Sequence, residues 1–94
     1  MNKRTVGTRV VAVRDAKDEA VYLYGRGKYV GDWQGGPTGS IPNPLIELDS
    51  AEVVWGCECW WMSEEEYENK FRKGRPEVIV PAPVRNINMS GVVS

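Results

Sequence analysis

The sequence contains no histidine. That absence excludes a Ser-His-Asp triad, a Cys-His dyad, histidine-held metal ions and histidine-based pH switching. Net charge is also nearly absent: 12 basic residues stand against 13 acidic ones, for a formal charge of −1. So neutral a chain has little field to draw it to a polyanion, and nucleic acid is not expected as a partner. No apolar run approaches the roughly 18 residues that cross a bilayer, so no membrane partner is expected either. The basic N-terminus, Met1 to Arg9, is not followed by an apolar stretch and does not read as a secretory signal. The cytoplasm is therefore the expected compartment, where Cys57 and Cys59 would be thiols.

What is present suits one small domain with one core, since 94 residues bury only a modest share of their surface. Thr8 to Arg14 is rich in β-branched residues and reads as a strand. Asp15 to Asp18 reads as a turn, and Glu19 to Gly25 as a second strand, with Val21 and Leu23 on one face and Tyr22 and Tyr24 on the other. Gly25-Arg26-Gly27 interrupts the pattern as a bulge or bend, after which Lys28 to Trp33 resumes it. Gln34 to Pro44 is a long loop of helix- and strand-breaking residues. Leu45 to Leu48 is a short strand, and Glu52 to Trp61 reads as the longest strand, its odd positions facing the core.

A helix follows. Ser63 is its cap, Glu66 completes a capping box, and Met62 and Tyr67 form a hydrophobic staple. Three glutamates at the start and Lys70, Arg72 and Lys73 at the end suit the helix dipole, and Gly74 supplies the stop. Glu77 to Val80 is a last strand. The expected fold is mainly β (α+β): a small SH3-like barrel or a strongly bent antiparallel sheet of five to six strands, with one short helix near residues 63–73. Residues 1–83 form the domain and 84–94 a flexible tail.

The aromatics are the strongest functional signal. Trp60 and Trp61 are consecutive on a strand and must face opposite sides, so one of them faces outward or meets the helix. Tyr22, Tyr24, Trp33 and Trp60 are the expected partner-binding residues, because tryptophan and tyrosine give large contact area at low entropic cost. A second set, Arg26 and Lys28 in a Gly-Arg-Gly-Lys stretch with Tyr29 beside it, could hold a nucleotide-like small molecule. Cys57 and Cys59, two apart on one strand face, are expected as small buried apolar side chains. No catalytic residue, metal site or cofactor is expected.

The run Val54-Trp55-Gly56-Cys57-Glu58-Cys59-Trp60-Trp61, with Tyr22-Leu23-Tyr24-Gly25 and Tyr29-Val30-Gly31-Asp32 upstream, resembles a family of small bacterial and phage proteins with a WGCECWW motif and no assigned activity. The likeness covers roughly residues 7–73; Met62 departs from the small residue expected there. It implies a compact cytoplasmic protein encoded by a phage or other mobile element. The expected function is a non-enzymatic protein-interaction module acting on a host protein. The alternative is a small-molecule binder or sequestering protein, and self-association into a homo-oligomer is kept open.

Overall fold

A computed structural model describes residues 5–34 and 42–83, together with the backbone of the short antiparallel pair Ile87–Asn88 and Val92–Val93. The rest of the expected tail, and residues 35–41 of the expected long loop, lie outside the described residues. Among those described, no helix is long and apolar enough to cross a membrane.

Six strands form one sheet: β1 (Arg9–Ala16), β2 (Val21–Trp33), β3 (Asn43–Leu48), β4 (Val53–Trp55), β5 (Trp60–Ser63) and β6 (Glu77–Ile79). The order is β4-β3-β2-β1-β5, with β6 lying parallel beside the first residues of β2 and the other ladders antiparallel. Strands β4 and β5 are successive in the chain yet stand at opposite ends of that order. In a flat sheet they would be about 19 Å apart, four strand spacings. The link Gly56–Cys59 could span only about 17 Å fully extended, and part of it is coiled. The sheet must therefore curl strongly. It is nevertheless not closed into a barrel, because no ladder joins β4 to β5. The SH3-like barrel expectation is corrected on this point, whereas the bent sheet with one short helix stands.

Two bulges help the bend. Along the β1–β2 ladder Ala12 pairs with Gly25, Val13 with Leu23 and Asp15 with Tyr22, so Tyr24 and Arg14 are skipped in turn. Each bulge increases the local twist. The Gly25-Arg26-Gly27 stretch does not end the strand, as β2 runs through it. Gly27 is there for close approach: a Cβ at this position would lie 2.1 Å from the Glu47 carbonyl oxygen and 2.7 Å from Leu48 Cα.

Both faces of the sheet are buried. The inner face packs Val10, Ala12, Ile46, Leu48, Val54 and Ala82, with Tyr24, Cys59 and Trp61 against them. The outer face packs Val11, Val13, Val21, Leu23, Met62 and Tyr67, with Phe71 partly covered. Alternation along β1 explains this, since Val10 and Ala12 point one way and Val11 and Val13 the other. Val21 and Leu23 are fully buried and Tyr22 and Tyr24 half-buried, as their spacing requires.

The helix, α1 (Glu64–Glu66), covers the outer face and continues as a π-helical turn over Tyr67–Arg72. Ser63 Oγ accepts a hydrogen bond from the Glu66 N–H at 3.1 Å, the cap that the sequence indicates. Met62 and Tyr67 share one cluster, and Tyr67 stacks on Phe71 at 6.1 Å between centroids. Lys73 and Gly74, with φ of 51° and 76°, end the helix in left-handed backbone.

Candidate functional site

The expected strand Glu52–Trp61 is broken. Val53–Trp55 and Trp60–Ser63 are strands, but Gly56–Glu58 forms a 3₁₀ turn between them. The break is set at Gly56, which is buried. A Cβ there would meet Trp61 Nε1 at 2.6 Å and Pro44 Cβ at 2.9 Å, so only glycine lets the chain turn under these two side chains. The turn cancels the odd-face pattern expected for this stretch. Trp55 is buried, but Cys57 is exposed and Cys59 only partly buried. The expectation of two buried cysteines on one strand face is thereby corrected.

After the turn, β5 pairs with β1, and its pleat separates the two tryptophans. Trp61 stands opposite Ala12 and joins the inner cluster, stacking on Tyr29 with centroids 5.3 Å apart and planes at 28°. Trp60 stands opposite Val13 on the outer face and remains 57% exposed, the most exposed aromatic ring among the described residues. Its ring lies 6.4 Å from that of Phe71 between centroids, tilted at 47°. Beside it lies an open pocket of about 290 Å³, lined by Arg14, Cys57, Glu58, Cys59 and Trp60. Arg14 reaches it as one of the two bulged residues.

Within the pocket the two thiols differ. Cys59 Sγ donates to the Trp55 carbonyl oxygen at 3.6 Å. Burial, followed by the neighbouring Glu58 and Cys57, pushes its thiol up to about 12. Cys57 is open to solvent. Among the described residues no group of three or more Cys, Asp or Glu is placed to hold a metal ion.

The other expected partner-binding aromatics do not gather around Trp60. Tyr24 is half-buried against the inner cluster. Tyr22 is half-buried beneath Lys17 Nζ, 5.7 Å from its ring centre. Trp33 is half-buried at the far end of β2, where its Nε1 donates to the Val30 carbonyl at 3.2 Å.

The expected ligand-binding set is likewise dispersed. Tyr29 is buried on the inner face, and its hydroxyl donates to Asp32 at 2.6 Å; burial and that hydrogen bond push its pKa up to about 12. Arg26 and Lys28 alternate with it on β2 and point to the other face. Lys28 Nζ lies 3.8 Å from Glu47. The Arg26 guanidinium grips both oxygens of Glu77, at 3.2 and 2.7 Å, reaches Glu68 at 3.0 Å and sits 5.4 Å from the centre of the Tyr67 ring. Glu77 also accepts the Tyr67 hydroxyl at 2.7 Å. These contacts tie the helix and β6 to β2, and Arg26 is thus committed to internal carboxylates.

Sequence reasoning did not find Arg14 or the exposure of Cys57. Bulges leave little local signal, so Arg14 reads as the end of a strand. For Cys57 the signal was Gly56, a glycine inside an apparent strand. Compared with protein-family models, with curated proteins and with solved structures, the chain gives no match in any of the three.

Proposed function

We propose that this chain is a non-enzymatic binding module that takes a protein partner at the β5 edge, with Trp60 as the anchor. The observation that carries the reading is Trp60 itself, a tryptophan 57% exposed on a strand that ends the sheet. Tryptophan at the centre of a contact is a frequent energetic hot spot. An edge strand also offers unpaired backbone groups to an incoming chain. Phe71 supports the ring from one side and the open pocket flanks it, which favours a partner that lays an apolar side chain against Trp60. Tyr22, Tyr24 and Trp33 contribute less in this reading, because most of their surface is already covered inside the fold. The family resemblance adds a phage or mobile-element origin, a host protein as partner and the cytoplasm as the compartment. The small-molecule alternative has less support, since Arg26, Lys28 and Tyr29 do not converge on one site.

The test compares capture of host proteins by wild type and by Trp60→Ala, with circular dichroism on both. The reading expects one partner at fixed stoichiometry, lost in a variant that remains folded. Equal capture by the folded variant would refute it.

A further inference from the structure

Cys57 and Cys59 lie two residues apart, and what they can do depends on the residue between them. Were Glu58 extended, as in a strand, the two Cα atoms would stand about 6.7 Å apart. That is at the upper limit for a disulfide, which prefers about 5.5–6 Å. Glu58 instead lies in the 3₁₀ turn, where the rise falls to about 2.0 Å per residue and the span contracts into the relaxed range. Cys57 is exposed, Cys59 is half-covered, and both line the same open pocket. This is the arrangement of an attacking thiol at the surface and a resolving thiol behind it.

We propose that Cys57 and Cys59 form a reversible dithiol–disulfide pair that exchanges two electrons with small disulfides of the glutathione class in the pocket beside Trp60. In the first step the Cys57 thiolate attacks one sulfur of the small disulfide. A mixed disulfide forms on Cys57, the original S–S bond breaks, and one small thiolate leaves and takes up a proton. In the second step Cys59 loses its proton and attacks Cys57 Sγ. The internal disulfide forms and the second small thiol is released. The protein pair is oxidised by two electrons and the small disulfide is reduced by two. Excess small thiol reverses both steps. Because Cys59 is partly covered and burial pushes its thiol up, the second step is the slower one. This inference is independent of the partner-binding reading, because it requires no protein partner.

The experiment incubates the full folded chain with glutathione disulfide, quenches in acid, alkylates the remaining thiols and reads intact mass and peptide maps. Wild type should end with no alkylatable thiol and a Cys57–Cys59 linkage, and dithiothreitol should restore both thiols. Cys59→Ala should stop at a glutathione adduct on Cys57. Cys57→Ser should react at least about tenfold more slowly, because its remaining thiol is covered and poorly ionised. Cys59→Ser replaces Cys59→Ala if circular dichroism shows the latter unfolded. Wild type that keeps two free thiols, stops at the adduct or links two chains together would overturn the proposal.

Discussion

Replacing Gly56 by alanine probes the corner that builds the site. The added methyl would sit 2.6 Å from Trp61 Nε1 and 2.9 Å from Pro44 Cβ, where ordinary contact begins near 3.4 Å. Neither neighbour yields easily. Trp61 is held by its stack on Tyr29, and Pro44 is fixed in β3 by pairing with Asp32. Forcing one extra methyl into packed surroundings costs about 1–3 kcal/mol. At about 4–8 °C per kcal/mol for a domain of this size, the variant should melt roughly 4–24 °C below wild type. Thermal unfolding followed by far-ultraviolet circular dichroism measures this. Gly74→Ala is the control for open space, because its methyl would meet nothing within 4 Å and only the backbone, at φ 76°, resists it. A Gly56→Ala variant that melts with wild type would refute the close-packed corner and, with it, the placement of Cys57 and Trp60.

Three further outcomes follow from the same geometry. Trp61→Ala should cost about 2–3 kcal/mol, below the range for a fully buried tryptophan because Trp61 is half-buried, whereas Trp60→Ala should stay within about 0.5 kcal/mol; chemical denaturation of the two neighbouring variants tests the contrast. Tyr67→Phe removes the hydroxyl that donates to Glu77 and should cost about 1.5 kcal/mol in the same assay. The Arg26 hydrogen bond, with that of Tyr67, holds the Glu77 carboxyl below the usual carboxylate range. A depressed folded pKa gives stability that is fully present above the unfolded value, about 4.3, and is lost as pH falls through the folded value. Acid titration of Glu77→Gln should therefore show a shallower loss of stability below that point than wild type, and identical acid limbs would contradict the assignment.

What was legible in the sequence was local. The Ser63 cap, the Met62–Tyr67 staple and the Tyr67–Phe71 pair depend on residues three to five apart, and all are present. The opposed facing of Trp60 and Trp61 follows from strand pleat alone. The corner at Gly56 was hidden because period-two reading continues through a single glycine, and the reason for the corner lies in packing against the Trp61 and Pro44 side chains, which spacing alone does not show. Arg26 looked free for a ligand because its partners, Glu68 and Glu77, are 42 and 51 residues distant. The open sheet was hidden for the same kind of reason, since closure depends on whether β4 and β5 form a ladder.

Native mass spectrometry of the tagged chain gently purified from its own host, run beside Trp60→Ala, tests whether Trp60 anchors a protein partner. Wild type should carry a protein partner at fixed stoichiometry, and the variant should run as a bare, folded chain. The same partner retained on the folded variant would contradict it.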